Sequence, residues 1–257
     1  MEPHLKHSVV DGVATVVISH AAKRNAMTAQ MWRTLPVLLE RFAGDPEVRA
    51  LVLTGDGDTF CAGADISSLR APERGPGDGR APDEAPQDLA VRAEESLAAF
   101  PKPTLAAVRG YCVGGGCQLA AACDLRFAEE GASFGVTPAK LGIVYPASST
   151  RRLAALVGPS AAKYLLFSAE LIDTERALRT GLVDEVLPAG QLGKRVEEFT
   201  RVLAGRSQLT QAAAKEFVSG RAGREAHWAE EARGSGDTAE GVAAFLERRA
   251  PRFTWTT

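Results

Sequence analysis

The chain has 257 residues, of which 45% are hydrophobic, and this composition allows a sizeable core in one large or two small domains. Its formal net charge of −2 argues against nucleic acid or an anionic membrane surface as a partner. Because residues 1–6 lack the apolar core of a signal peptide, and no apolar run approaches the ~20 residues that span a bilayer, we expect a soluble cytoplasmic protein.

The N-terminal part is predicted to form a hairpin and then a helix. Residues 9–18 are mostly apolar or β-branched on both sides of Asp11-Gly12, a dipeptide that favours a two-residue hairpin turn. Thr28 has the side chain of an N-cap for a helix with apolar positions between residues 31 and 42. A strand is predicted next, over residues 50–54.

Two later turns join a predicted strand to a predicted helix through small residues. The first, Phe-Cys-Ala-Gly-Ala-Asp-Ile at residues 60–66, follows the strand over 50–54. The second, Gly-Gly-Gly-Cys-Gln-Leu at residues 114–119, follows an apolar run over 104–108. Helix N-termini carry unsatisfied N–H donors and partial positive charge. Two such turns that face one point would form an oxyanion hole for a carbonyl oxygen that becomes negative.

Residues 71–88 contain four prolines and three glycines, a composition that predicts irregular structure. Both flanks belong to the same strand-turn-helix pattern, so we interpret the segment as a surface loop and not as a domain linker. A plain loop and a lid over a pocket both remain open.

The rest of the chain becomes increasingly helical. Short strands are predicted over 125–128 and 132–136, and a helix over 148–157 ends at Gly158-Pro159. Further helices are predicted over 160–168, 174–181, 190–204, 209–219 and 237–249, the last with a capping-box-like start at Asp237 or Thr238. We therefore divide the chain into a core, residues 1–190, and a C-terminal helical region, residues 191–257.

The four cysteines are predicted to be small buried side chains. They are Cys61, Cys112, Cys117 and Cys123, all in apolar surroundings. Their spacing fits no standard zinc pattern, and no histidine lies near them in sequence to act as a base. We expect no metal site.

Segments along nearly the whole chain resemble, in the same order, the crotonase (enoyl-CoA hydratase/isomerase) superfamily. They are residues 23–27, 60–66, 110–124, 134–153, 169–177 and 181–186, and, in the terminal helix, 237–240, 244–249 and 251–253. The resemblance implies an α/β fold, a crotonase-type spiral of ββα units followed by a helical C-terminal trimerisation region. It also implies an acyl-CoA thioester as substrate, no separate cofactor, and a homotrimer or dimer of trimers.

The resemblance also assigns roles to individual residues. The backbone N–H groups of Ala64 and Gly115 would form the oxyanion hole for a thioester enolate. The Ala62 carbonyl would hold the adenine amino group of CoA. The CoA channel would further include Arg24, Ala26 and Ile66. Asp65 is expected to cap the helix that follows the first turn, and Asp124, which ends the second helix, is expected to be structural.

The chain departs from the hydratase pattern at two positions. Hydratases of this family use two glutamates to hold and activate water, and here those positions are Gln118 and Pro138. Glutamine forms hydrogen bonds but exchanges no proton near pH 7, and proline does neither. Since general acid–base assistance is commonly worth ~10²–10⁴ per group, hydration of crotonyl-CoA is predicted to be slow or absent.

Residues 136–145 resemble the methylmalonyl-CoA decarboxylase branch, in which a tyrosine lies at the acyl group. The resemblance places that role on Tyr145, with Gln118 as a second group that orients the leaving carboxylate. That branch has a glutamate at the Gln118 position and a histidine at the Ala64 position, so the chain departs from it there. A pocket-wall role for Tyr145 and a non-chemical role for Gln118 remain open.

Two alternatives to a decarboxylating lyase also remain open. The first is a hydratase or isomerase with an unusual active site, in which the 71–88 loop supplies a base through Asp83, Glu84 or Asp88. The second is a weakly active acyl-CoA-binding protein, because loss of both glutamates is what such a protein would show.

Overall fold

The computed structural model describes residues 2–66, 85–220 and 223–256. Within these ranges the strands are β1 (His4–Val10), β2 (Val13–Ser19), β3 (Ala50–Gly55), β4 (Thr104–Val108), β5 (Tyr111–Val113), β6 (Leu125–Glu129), β7 (Ser133–Gly135) and β8 (Glu185–Leu187). The helices are α1 (Ala29–Ala43), α2 (Pro86–Ala98), α3 (Gly115–Ala122), α4 (Ala147–Ser168), α5 (Thr174–Thr180), α6 (Leu192–Ala204), α7 (Gln208–Val218), α8 (Glu225–Gly234) and α9 (Asp237–Glu247). None of the helices described is long and apolar enough to cross a membrane.

The strands form two sheets. The main sheet has the order β1-β2-β3-β4-β6-β8, with β1 and β2 antiparallel and the other pairs parallel. The second sheet pairs β5 with β7 in parallel. The hairpin prediction is confirmed, since Asp11 (φ 50°) and Gly12 (φ 79°) both adopt the left-handed backbone of a two-residue turn.

The main core lies between one face of this sheet and helices α1 to α4. Thr28 caps α1 as predicted, because its hydroxyl accepts a hydrogen bond from Met31 N at 3.3 Å. The buried face of α1 is formed by Met31, Trp32, Leu35, Leu38, Leu39 and Phe42. These side chains meet the inward residues of β2 and β3 in one continuous apolar cluster.

Helix α6 covers the opposite face of the sheet. Leu192 is fully buried in a second cluster with Val52 and Phe127, and the Phe127 and Phe199 rings lie 5.2 Å apart between centroids. The first helix after residue 190 therefore packs on the core sheet. The division of the chain at residue 190 stays a prediction.

Helix α2 begins inside the segment that the composition predicted to be irregular. Pro86 stands at its start, where proline is tolerated because a first-turn N–H has no intrahelical partner. Asp88 is an exposed residue of this first turn. Asp83, Glu84 and the lid hypothesis lie outside the described residues.

Other boundaries differ for local reasons. Helix α8 was not predicted, and it has no buried residues from which an apolar period could be read. The predicted break at Gly158 is confirmed by its φ of 76° and ψ of 160° within α4. At α9 the N-cap is Gly236, and the buried Asp237 carboxylate instead accepts a hydrogen bond from the Ser207 hydroxyl at 2.7 Å.

Candidate active site

The first small-residue turn is held by backbone hydrogen bonds on both sides. Cys61 N donates to Tyr111 O at 2.8 Å, and Val113 N donates to Cys61 O at 3.0 Å. On the other side, Met27 N donates to Gly63 O at 2.8 Å. Gly63 has a φ of 109°, a conformation that L side chains rarely adopt. Glycine is therefore required at the bend that presents Ala64.

The second turn packs directly against the first. Gly114 N donates to Gly135 O at 2.8 Å, and α3 begins at the next residue. A Cβ atom placed on Gly116 would lie 2.3 Å from Cys61 O, a distance that no side chain allows. The absence of side chains in this triplet therefore brings the start of α3 against residues 61–64.

This packing places two free N–H donors close together. A Cβ atom on Gly115 would lie 3.4 Å from Ala64 N, and one on Gly63 would lie 3.5 Å from Gly115 N. Within the described ranges, neither Ala64 N nor Gly115 N donates a hydrogen bond. The structure thus brings together the two groups predicted for the oxyanion hole, at the positive end of α3.

Trp32 of α1 forms a wall beside these donors. Its Cζ2 and Cη2 atoms would lie 3.0 and 3.3 Å from a Cβ atom on Gly115. The indole is buried, with 2% of its surface exposed. An apolar ring in this place covers one side of the two donors, and electrostatic interactions are stronger where water is excluded.

The residues predicted for the CoA channel cluster around the first turn. Ala62 N donates to Arg24 O at 3.0 Å, whereas no N–H of the described ranges donates to the Ala62 carbonyl. The Arg24 guanidinium lies 4.9 Å from the centroid of the Tyr111 ring. Ile66 is 56% exposed, and Ala26 is buried. The free Ala62 carbonyl is thus available to a ligand.

Gln118, one turn into α3, belongs to a buried polar network. Its Nε2 atom donates to a carboxylate oxygen of Glu94 on α2, and to Ser149 Oγ on α4 at 3.1 Å. No residue of the described ranges donates to Gln118 Oε1. Both amide hydrogens are therefore used within the protein, and the carbonyl oxygen is left over.

Glu94 is a buried carboxylate that the sequence reasoning missed. Its side chain has no exposed surface, and it accepts hydrogen bonds from Gln118, Ser149 and Arg152. Burial lowers the pKa of the Arg152 guanidinium, which also pairs with exposed Glu95 at 3.1 Å. The missed signal was helical spacing. Apolar residues lie four positions before Glu94 and three and four positions after it. This spacing places the carboxylate on an apolar helix face.

Tyr145 packs against the main core as a partly exposed side chain. Burial, with a smaller contribution from the thiols of Cys117 and Cys112, raises its pKa well above the ordinary value. The phenol is therefore neutral at physiological pH and retains its O–H donor. Pro138 begins a 3-10 turn, Pro138–Leu141, and supplies no polar side chain.

The remaining candidates are structural, as expected. All four cysteines are free and buried, and burial raises the pKa values of Cys61 and Cys123 to about 12. Asp65 pairs with Lys23 at 2.8 Å, and the helix that Asp65 was expected to cap lies outside the described residues. Asp124 accepts hydrogen bonds from Thr104 N at 2.7 Å and Lys215 Nζ at 2.8 Å, which joins β4 to α7.

Comparison with known proteins identifies the family of the chain. The family model for enoyl-CoA hydratase/isomerase matches residues 9–256. The chain belongs to the enoyl-CoA hydratase/isomerase family. A solved structure of another enoyl-CoA hydratase/isomerase family member covers 100% of both chains at 38% identity, with a TM-score of 0.88. A family protein from Hyphomonas neptunium covers 98% of this chain and 97% of its own at 34% identity and the same TM-score.

The curated relatives carry hydratase names. A crotonyl-CoA hydratase from Syntrophomonas wolfei is 33% identical over 256 residues, 94% of each chain. A putative enoyl-CoA hydratase from Thermus thermophilus is 36% identical over 254 residues, 94% of this chain and 97% of its own. The α/β fold of crotonase type predicted from the sequence is confirmed. The protein is an enzyme of the family, and an acyl-CoA substrate is consistent with it.

Proposed function

We propose that this enzyme decarboxylates a malonyl-type acyl-CoA, such as methylmalonyl-CoA, through a thioester enolate. The supporting observation is the pair of free N–H donors, Ala64 and Gly115. The family resemblance adds that Gln118 and Pro138 stand at the positions of the hydratase glutamates. The nearby carboxylate of Glu94 accepts hydrogen bonds from three partners and has no exposed surface. The proposed site therefore stabilises an enolate without presenting a carboxylate base to the substrate.

The proposed reaction breaks one carbon–carbon bond. The bond between the α-carbon and the carboxylate cleaves, carbon dioxide leaves, and the electron pair moves through the α-carbon to the thioester oxygen. The Ala64 and Gly115 N–H groups donate to that oxygen as its charge develops. The α-carbon then takes one proton from solvent, and the product is the shortened acyl-CoA. Losing one such donor typically costs ~10²–10³ in rate.

Tyr145 is the proposed group that orients the leaving carboxylate. Its raised pKa keeps the phenol neutral, so it donates one hydrogen bond without repelling the substrate's negative charge. Gln118 suits this role less well than the sequence suggested, because both of its amide hydrogens bind Glu94 and Ser149. A single donor sets the direction of the carboxylate while leaving it poorly solvated, and poor solvation favours its loss as neutral carbon dioxide.

The test is a mass-resolved turnover assay that compares methylmalonyl-CoA with crotonyl-CoA. Loss of carbon dioxide with little hydration supports the proposal, and the Tyr145→Phe variant should then lower decarboxylation more than it lowers CoA binding. Gly115→Val should abolish turnover.

Hydration is the second candidate, and the names of the curated relatives favour it. Efficient hydration of crotonyl-CoA would refute the argument from Gln118 and Pro138. Binding of both thioesters without turnover would instead indicate an acyl-CoA-binding protein.

We further propose that the enzyme is a soluble homotrimer or dimer of trimers that needs no cofactor beyond the CoA of its substrate. Large apolar side chains on the C-terminal helices support subunit packing, since Phe245 is 83% and Leu246 73% exposed in the single chain. Light scattering coupled to size-exclusion chromatography tests this assembly.

A further inference from the structure

We propose that Glu94 is a positioning residue, which turns the Gln118 amide so that its carbonyl oxygen, and not its N–H, faces the acyl group. The inference rests on the proposed function in placing Gln118 at the acyl group. It adds a residue outside the predicted site, and it changes what Gln118 offers to a substrate.

The orientation of the amide follows from the chemistry of its partner. An ionised carboxylate only accepts hydrogen bonds, so the Gln118 atom that faces Glu94 must be Nε2. The second amide hydrogen is directed to Ser149 Oγ at 3.1 Å, and the Ser149 hydroxyl itself donates to Glu94. With both hydrogens used, Oε1 is the group of the amide that remains for a ligand.

The Glu94 carboxylate is paired with a partly buried cation, the Arg152 guanidinium. Arg152 lies one helical turn after Ser149 on the same face of α4, and it donates to the second carboxylate oxygen of Glu94. A buried carboxylate is tolerated when it is both paired and hydrogen-bonded, and Glu94 meets both conditions. Glu94 on α2 and Ser149 on α4 both accept from the Gln118 amide, so two neighbouring helices fix its orientation.

A carbonyl oxygen at this place opposes a carboxylate on the substrate. An acceptor beside a carboxylate forms no hydrogen bond with it, whereas an amide N–H would solvate it. This opposition should offset the hydrogen bond that Tyr145 donates, so that wild-type enzyme binds malonyl-CoA no better than isovaleryl-CoA, whose branched methyl groups match the shape of the carboxylate without its charge. A glutamine at position 94 donates as well as accepts, so it frees the Gln118 amide to turn its N–H toward the acyl group.

The test compares dissociation constants of malonyl-CoA and isovaleryl-CoA by stopped-flow intrinsic tryptophan fluorescence, read in the binding phase before turnover. Of the three tryptophans, Trp32 is the one beside the two free donors. We expect Glu94→Gln to raise the affinity for malonyl-CoA relative to isovaleryl-CoA about tenfold, the gain typical of one hydrogen bond to a charged group. In the same variant kcat for decarboxylation should fall, because the carboxylate is now solvated. Glu95→Gln is the matched control, since Glu95 pairs with the same Arg152 but does not contact Gln118.

An affinity ratio that stays unchanged in folded Glu94→Gln overturns the proposal, as does an equal change in the Glu95→Gln control. If Glu94→Gln alone does not fold, the Glu94→Gln, Arg152→Met double variant removes the unpaired cation and is measured in the same way. A shifted ratio in an enzyme that releases no carbon dioxide supports the role of Glu94 while refuting the proposed reaction, so the two failures are distinguishable.

Discussion

Gly115→Ala is the sharpest test of the oxyanion hole, because it adds a single methyl group beside both donors. The new carbon would lie 3.4 Å from Ala64 N and 3.0 Å from Trp32 Cζ2. A substrate oxygen must approach to about 2.7–3.1 Å of the donor nitrogens, and the methyl group occupies this approach. Blocking one donor should lower kcat/KM by ~10²–10³, which corresponds to about 2.7–4 kcal/mol of transition-state stabilisation.

The same substitution should change stability far less than activity. The indole must move by a few tenths of an ångström, since 3.0 Å is too close for two carbon atoms. The higher helix propensity of alanine, up to about 1 kcal/mol, offsets part of this cost at the start of α3. We therefore expect a change in Tm within about 2–4 °C, measured by differential scanning fluorimetry.

Gly193→Ala is the matched control for this experiment. Gly193 also stands at the start of a helix, α6, and its added methyl would lie 3.6 Å from Arg109 Nη2, an ordinary contact. The control should retain wild-type kcat/KM and the wild-type dissociation constant for CoA. A folded Gly115→Ala enzyme that keeps more than about a tenth of the wild-type kcat/KM would show that the Gly115 N–H does not stabilise the reacting oxygen.

Three further predictions concern stability and reactivity. Gly116→Ala should unfold the protein or lower its Tm far more than Gly115→Ala does, because the added methyl group would lie 2.3 Å from Cys61 O. Circular dichroism during heating measures the Tm, and a wild-type value would contradict the packing of the two turns. Hydrogen bonds from the Arg249 side chain and, to a lesser extent, from the Arg252 N–H lower the pKa of Glu240 from 4.5 to about 2. The ionised Glu240 therefore stabilises the fold above pH 4.5, and this stabilisation is lost as the pH falls toward 2. Glu240→Gln should flatten the fall in Tm between these pH values, whereas the control Glu247→Gln should show the same fall as the wild type. The four buried thiols should react with Ellman's reagent at pH 8 only when denaturant unfolds the chain, and rapid labelling of the native enzyme would contradict their burial.

The sequence was most informative where local chemistry determines structure. The Asp11-Gly12 turn, the Thr28 cap and the break at Gly158 each depend on a residue whose backbone or side-chain preference is strong. The two small-residue turns also follow from local rules, because close backbone approach requires glycine. The contact between the two turns depends on tertiary structure, and it was expected only because the motifs resemble those of a known family.

The sequence was least informative where partners come from distant elements. Glu94 lies 24 residues from Gln118 and 55 from Ser149 along the chain. Glutamate is common on exposed helix faces, so its type alone gives no reason to expect burial. Its apolar neighbours at helical spacing were the available signal.

The network around Glu94 offers a physical reason why this site tolerates glutamine at position 118. A glutamate there would place a second carboxylate against Glu94, and two like charges in a buried site cannot both ionise without a large penalty. Glutamine removes the repulsion and supplies the two hydrogens that Glu94 and Ser149 accept. The two residues therefore depend on each other, so Gln118→Glu should raise the pKa of one carboxylate of the pair and weaken the Arg152 interaction. Hydratase activity is accordingly not expected from Gln118→Glu alone. If that single change produced efficient hydration of crotonyl-CoA, Glu94 would not constrain the residue type at position 118.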